Sequence, residues 1–84
     1  MELIITDKAF EDIQFWLKND RKILSKIFTL IDNCKNSPFE GIGKPEPLRH
    51  NLAGYWSRRI NSEHRLVYKV EDNTITIIQC KLHY

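Results

Sequence analysis

The residues best suited to chemistry in this 84-residue chain are a carboxylate, several arginines and a late histidine. Glu46 stands between Pro45 and Pro47, which restrict the backbone on both sides and favour a carboxylate held in one place. A histidine such as His83 titrates near neutral pH, and an arginine presents a fork of donors matched to phosphate oxygens. A base, an acid and cations suit cleavage of a phosphodiester through the 2′-hydroxyl of RNA, a reaction that needs no cofactor.

Other common kinds of catalytic site have no motif in this sequence. There is no Gly-rich phosphate loop and no Ser-centred nucleophile elbow. The three histidines and two cysteines are scattered, which argues against a metal site. Each chemical candidate also has a plainer interpretation: Glu46 as a surface carboxylate, the arginines as solubilising strand residues, and His83 as a frayed end.

The charge distribution indicates a polyanionic partner. Net charge is only +2, but residues 44 to 69 carry six basic and two acidic side chains, whereas residues 1 to 43 carry six and seven. Clustered Lys and Arg on a small domain are typical of proteins that bind nucleic acid, although a solvated face gives the same pattern.

Length and composition predict a single cytoplasmic domain. A chain of this size has one core, so we expect residues 1–84 to form one unit. Cys34 and Cys80 have no C-x-x-C spacing, and the opening residues lack the basic leader of a signal peptide. No apolar run approaches the roughly 20 residues of a membrane span, so we expect no membrane partner.

Hydrophobic spacing predicts an α+β fold. An apolar run at 3–5, closed by Thr6-Asp7, reads as a buried strand followed by a helix N-cap and a helix over about 8–18. Asn19-Asp20 breaks the helical pattern and supplies the next cap, so a second helix starts near Asp20. Residues 36–51 hold all three prolines and form a loop. Alternation of period two then predicts three antiparallel strands over about 55–60, 64–70 and 74–82. We expect the N-terminal strand and both helices to pack on one face of an antiparallel sheet, leaving the other face open for binding.

Two apolar stripes are expected on the helices. The first helix places Phe10, Ile13, Trp16 and Leu17 at helical spacing, and the second places Ile23, Ile27, Leu30, Ile31 and Cys34 there. Leu24 and Phe28 lie outside the second stripe. We favour a wide core face for this pair over a partner surface.

Strand alternation separates the arginines. Arg65 projects away from Leu66 and Tyr68, and Arg58 and Arg59 point to opposite faces of the sheet. At most one of that adjacent pair belongs to a site on a single face, and the pattern alone does not say which.

The stretch SPFEGIGKPEPLRHNLAGYWSRRINSEHRLVY, residues 37 to 68, together with His83-Tyr84, strongly resembles the YoeB (Txe/YoeB) family of bacterial toxins, relatives of RelE. The similarity runs over essentially the whole chain. It implies a microbial-ribonuclease-like fold, cleavage of mRNA in the ribosomal A site, and inhibition by a YefM-type antitoxin that wraps the toxin.

The resemblance also implies residue roles. Glu46 of the KPEPL motif matches the general base, and Arg65 of the EHRLVY motif matches the cation that stabilises the phosphate. His83 matches the general acid and Tyr84 an RNA-contacting ring. Arg59, which closes the WSRR motif, matches a substrate contact, so Arg58 is expected to support structure.

Two positions depart from the family pattern. Arg49 stands where members often carry lysine, a change of donor geometry at a position that we expect to bind substrate. Lys81-Leu82 replaces the Arg-Tyr that many members have before the final pair. Both changes bear on local RNA or ribosome contacts.

Two alternatives remain open at this point: a module that occupies the A site and blocks translation without cutting, and a ribonuclease that needs no ribosome. We expect the antitoxin to be partly disordered when free, with an acidic or amphipathic tail. Leu24 and Phe28 are candidates for its contacts or for a homodimer.

Overall fold

The computed structural model describes residues 1–82, so two of the residues singled out above, His83 and Tyr84, lie outside the described residues. In chain order the elements are β1 (Glu2–Ile5), α1 (Asp7–Asn19), α2 (Arg21–Asn36), β2 (Glu46–Pro47), a 3-10 turn (His50–Leu52), β3 (Tyr55–Arg59), β4 (Arg65–Glu71) and β5 (Thr74–Gln79).

The α+β prediction is confirmed, with a five-stranded sheet in the order β1-β5-β4-β3-β2. The last three strands form the predicted antiparallel meander, although β5 ends at Gln79 and not near position 82. The sheet as a whole is mixed, because β1 runs parallel to β5. None of the helices among residues 1–82 is long and apolar enough to cross a membrane.

Both helices begin at the caps that the sequence indicates. The Thr6 hydroxyl accepts a hydrogen bond from the amide of Ala9 and donates one to the carbonyl of Ile77, which ties the start of α1 to β5. The Asp20 carboxylate accepts from the amides of Lys22 and Ile23. Each cap satisfies backbone donors that the first turn of a helix leaves without a partner.

The core lies between the helices and one face of the sheet. The predicted stripe of α2 is confirmed, with Ile23 partly buried and the other four residues buried. From the sheet the core takes four side chains that point towards the helices: Leu66, Tyr68, Ile75 and Ile77.

The predictions for β1 and α1 are partly wrong. All four β1 residues are exposed, because this short strand pairs with β5 at the edge of the sheet. On α1, Phe10 is 53% exposed and Leu17 is also exposed, whereas Ala9, Asp12 and Trp16 face the core. The buried stripe of α1 is therefore rotated about the helix axis relative to the predicted one. It includes the carboxylate of Asp12, which a prediction from apolar residues alone does not find.

Leu24 and Phe28, the apolar pair outside the α2 stripe, have different environments: one lies in the core and the other on the surface. Leu24 is buried in the core, as a wide core face requires, but Phe28 is 50% exposed. The side chains of Leu24 and Phe28 line a surface groove of about 410 Å³ between the helices, together with Leu17, Arg21, Ser25, Thr29 and Asp32.

Candidate active site

The strand register places a row of side chains on the sheet face opposite the helices. Glu46 pairs with Ser57, Ser57 with Val67, and Val67 with Gln79, across β2, β3, β4 and β5. Directly paired residues project to the same face. A bulge in β5, where the register skips Ile78, brings Gln79 into this row. Glu46 therefore shares a face with the outward residues of β3 and β4.

The centre of this face is not open, which corrects the expectation of a free face. Ser57 is 1% exposed and Val67 is 3% exposed. Four longer side chains, two on each strand, flank these short ones on the same face: Tyr55, Arg59, Arg65 and Lys69. Exposed Glu46 and Arg59 and half-buried Arg65 therefore form a polar rim beside a covered centre.

Arg59 and Arg65 lie directly opposite each other on β3 and β4. Paired side chains of neighbouring strands have Cβ atoms about 4.5–5.5 Å apart, and like charges at this spacing repel. The Arg65 guanidinium is oriented by its Nη1, which donates to the carbonyls of Asn61 at 2.8 Å and His64 at 3.1 Å. Arginines at directly paired positions present two positive charges on one face of the sheet, where both can bind the same anion.

The loop carrying Glu46 is fastened on both sides, as its prolines indicated. Before it, the Gly43 carbonyl accepts from the Arg59 amide at 2.6 Å, and after it the Leu48 amide donates to the Tyr55 carbonyl at 2.9 Å. Leu48 is buried. These contacts make Glu46–Pro47 a short edge strand against β3, and the carboxylate stands at a defined place on the polar rim.

Arg49 follows in the same segment. It is exposed and precedes the 3-10 turn, and it lines with Glu46 and His50 a groove of about 530 Å³ formed by residues 46–52. The structure thus brings Glu46 and Arg49 to one groove, at the side of the sheet where β2 pairs with β3.

Arg58 occupies the other face, as predicted. It is fully buried, and its guanidinium donates to the Tyr68 hydroxyl, to the Asn33 side-chain oxygen, and to the carbonyls of Ser37, Glu40 and Ile42. These acceptors belong to α2, β4 and the loop between α2 and β2. Arg58 therefore holds the loop against the core and takes no part in the polar rim.

His83 lies outside the described residues, but the residue before it, Leu82, is hydrogen-bonded to Arg65 and His64. The Leu82 carbonyl accepts from the Arg65 amide at 3.1 Å, and the Leu82 amide donates to Nδ1 of His64 at 2.8 Å. The residue preceding His83 is thus bonded to the strand that carries Arg65. Sequence reasoning gave His64 no role: it counted this residue among three scattered histidines, although the residue also stands in the EHRLVY motif.

The described part of the site offers a carboxylate, three arginines and no preassembled metal cage. Within residues 1–82 no group of three or more His, Cys, Asp or Glu side chains is placed to hold a metal ion. A carboxylate can accept a proton, and paired guanidinium groups can stabilise charge on a phosphate.

Comparison with known proteins agrees with this architecture. The family model described as "YoeB-like toxin of bacterial type II toxin-antitoxin system" matches residues 5–84. A curated relative, Toxin YoeB of Escherichia coli, is 50% identical over 84 residues, covering 100% of both chains. Two solved Staphylococcus aureus structures, a YoeB dimer and a heterotetrameric YoeB-YefM toxin-antitoxin complex, each share 49% identity over 100% of this chain and 98% of theirs, with TM-scores of 0.91 and 0.90.

Proposed function

The chain belongs to the family of YoeB-like toxins of bacterial type II toxin-antitoxin systems, and on that premise we propose that it is an endoribonuclease that cleaves mRNA in the ribosomal A site. The observation that supports this most directly is the shared face of Glu46, Arg59 and Arg65. A carboxylate beside two opposed guanidinium groups matches the base and the phosphate-binding cations that the reaction requires.

In the proposed reaction Glu46 takes the proton from a ribose 2′-hydroxyl. The freed oxygen attacks the adjacent phosphorus, and the bond from phosphorus to the 5′-oxygen of the next nucleotide breaks. His83 protonates that departing oxygen, so the products are a 2′,3′-cyclic phosphate and a 5′-hydroxyl end. Each proton has a donor and an acceptor in the chain or the substrate, and no cofactor enters.

The arginines have separate roles in this proposal. Arg65 and Arg59 stabilise the negative charge that gathers on the non-bridging oxygens as the fifth bond to phosphorus forms. Arg49, which lines the groove with Glu46, contacts the substrate backbone. Tyr84 stacks on an unpaired base, a contact available to every nucleotide because each base has a π-face.

We propose that the cellular partners are mRNA, the bacterial ribosome and a YefM-type antitoxin, and that the protein acts in the cytoplasm. The Staphylococcus aureus relatives form a dimer and a YoeB-YefM heterotetramer, which supports both an antitoxin partner and a homodimer here. The groove beside Leu24 and exposed Phe28 is the candidate surface for one of these contacts.

Primer extension on a defined mRNA, with and without purified bacterial ribosomes, tests the proposal. New 5′ ends should form with ribosomes, and His83→Ala and Glu46→Ala should each lower their rate about 10²- to 10⁴-fold, the usual contribution of one acid–base group. Glu11→Ala, which removes an exposed carboxylate from α1, is the matched control and should cleave at the parental rate.

The other outcomes assign a different function. An intact message with blocked translation would identify a ribosome-binding module that does not cut. Equal cleavage of naked RNA would identify a ribonuclease that needs no ribosome. Parental cleavage by both His83→Ala and Glu46→Ala would overturn the residue roles.

A further inference from the structure

We propose that Asp12, Trp16 and His64 are positioning residues that hold the segment leading to His83 in register with Arg65. The inference rests on the proposed function, in which His83 is the general acid. It assigns a role to three polar side chains that the family motifs and the site described above leave without one.

Two of the three side chains hold the peptide groups on either side of Cys80. The Asp12 Oδ2 accepts from the Cys80 amide at 3.0 Å, and the Trp16 indole Nε1 donates to the Cys80 carbonyl at 2.9 Å. Asp12 is 2% exposed, and its other oxygen accepts from Lys8 Nζ at 2.6 Å. The carboxylate is therefore satisfied and fixed between its own helix and the end of β5.

His64 holds the chain two residues later. Its Nδ1 accepts from the Leu82 amide at 2.8 Å, so this nitrogen carries no proton and the neutral ring has its proton on Nε2, which lies 3.6 Å from Glu63 Oε1. The ring is nearly buried and meets the Trp16 ring edge-on, with centroids 4.7 Å apart. The contacts at Cys80 and at Leu82 thus form one connected cluster.

The same cluster joins the segment to the phosphate-binding strand. The Leu82 carbonyl accepts from the Arg65 amide, and the His64 carbonyl accepts from Arg65 Nη1. Residue 82 is consequently bonded at its amide to His64 and at its carbonyl to Arg65. The position of residue 82 is therefore fixed relative to Arg65, whose guanidinium is proposed to bind the phosphate.

These contacts do more than bury apolar surface. Polar side chains are costly to bury unless they are hydrogen-bonded, and an apolar residue would fill the same volume without that requirement. Directional bonds to the backbone over 80–82 specify where the segment lies. A displacement of about 1 Å in a reacting group can cost about 10²-fold in rate, so we expect the cluster to act on turnover.

The main experiment compares two replacements of His64 in the full chain, assayed for cleavage of ribosome-bound mRNA. His64→Leu removes the acceptor for the Leu82 amide, whereas His64→Asn keeps an acceptor oxygen at the position of Nδ1 on a smaller side chain. Both variants lose the edge-on ring contact with Trp16, and each should lower the melting temperature. Only His64→Leu should lower kcat, by about 10- to 100-fold with KM unchanged, and His64→Asn should restore most of that loss.

A second variant keeps the test decisive if His64→Leu does not fold. Trp16→Phe removes the indole N–H that donates to Cys80 but keeps an aromatic ring in the core, and it should lower kcat with KM unchanged. The tautomer is checked separately in the parent chain by the nitrogen NMR signals of His64, which should show an unprotonated Nδ1.

The outcomes separate this inference from the proposed function. If the parent cleaves and folded His64→Leu and Trp16→Phe both turn over at the parental rate, the positioning role is wrong and the nuclease stands. Equal loss of kcat in His64→Leu and His64→Asn would also overturn it, since activity would then follow stability alone. If the parent leaves the mRNA intact, both proposals fall.

Discussion

Arg58 and Arg59 are neighbours on β3, yet their charges lie in different surroundings: one is buried among hydrogen-bond acceptors and the other is exposed beside a second cation. Arg58 lies in the core, and its five hydrogen bonds go to oxygens of the loop, α2 and β4, without a carboxylate partner among residues 1–82. Arg59 is exposed and lies opposite another arginine. At position 58 the guanidinium is hydrogen-bonded within the protein and stabilises the fold. At position 59 it is exposed, and its charge is available to bind an anion.

This difference shows how stability and function are divided between the two sheet faces. The buried cation is surrounded by acceptors, so its charge is already matched by carbonyl dipoles. The Arg59–Arg65 pair places like charges side by side, an arrangement that costs free energy until an anion lies between them. Two predictions compare the arginines directly, and two more test the loop and the core on the side of Arg58.

Replacement of Arg58 should have the largest effect on folding. Arg58→Met leaves the carbonyls of Ser37, Glu40 and Ile42 without their donor, and we expect the free energy of unfolding to fall by about 3–5 kcal/mol. Urea denaturation measures this change. A loss of less than about 1 kcal/mol would mean that water or other donors replace the guanidinium at little cost.

The equivalent change at Arg59 should spare the fold. Arg59→Met should leave the free energy of unfolding within about 0.5 kcal/mol of the parent, because the side chain is exposed. Under the proposed function its ribosome-dependent cleavage should fall about 10²-fold, the usual cost of removing one charge-stabilising donor. Paired denaturation and primer-extension measurements would contradict the division of roles if stability fell and cleavage did not.

The loop around Arg58 should be sensitive at Gly41. Its φ is +121°, and an added Cβ would overlap the Asn33 oxygen that accepts from Arg58 and from the Ile42 amide. Gly54 also has a positive φ, of +99°, but a Cβ there meets nothing within 4 Å. We expect Gly54→Ala to cost about 1 kcal/mol and Gly41→Ala about 2 kcal/mol more in thermal unfolding. Equal costs would show that backbone strain alone matters.

The core should also make stability sensitive to alkaline pH. Burial, reinforced by the Asp12 carboxylate, raises the pKa of Cys80 from 9.0 to about 12, and burial raises the pKa of Tyr68 from 10.0 to about 12. The unfolded chain therefore releases these protons first, so the stabilisation is complete below about pH 9 and is lost as pH rises towards 12.

Cys80→Ala isolates the thiol in that titration. Between about pH 8 and pH 10 the parent should lose on the order of 1 kcal/mol more stability than this variant. Denaturation curves at the two pH values measure the difference. Parallel losses in parent and variant would assign the alkaline effect to other groups.

Local signals predicted much of the fold. The caps at Thr6 and Asp20, the α2 stripe and the three-strand meander depend on side chains near one another in sequence, and all are present. The exposure of β1 was not predictable in this way, because it depends on the strand's place at the sheet edge. Asp12 was missed for a related reason, since a buried carboxylate is recognised only through its partner, the Cys80 amide.

The candidate site was predictable to a similar extent. Alternation placed Arg58 and Arg59 on opposite faces, and the family resemblance indicated which one is structural, as the buried guanidinium confirms. The relation of Glu46 to Arg65 depends on how β2 and β4 align with β3, which no local pattern encodes. The roles of Glu46, Arg49, Arg59, Arg65, His83 and Tyr84 stay predictions until the variants are measured.

The pairing of β1 with β5 also determines when the protein can finish folding. Glu2 lies opposite Thr74 and Ile5 opposite Ile77, so residues that are synthesised first wait for residues that are synthesised more than seventy positions later. Pairings of such high contact order form slowly, because the entropy of closing the intervening chain is lost before the contacts form. A nascent chain therefore has no complete sheet until the fifth strand emerges, and β1 stays without its partner while both helices and β2, β3 and β4 are synthesised.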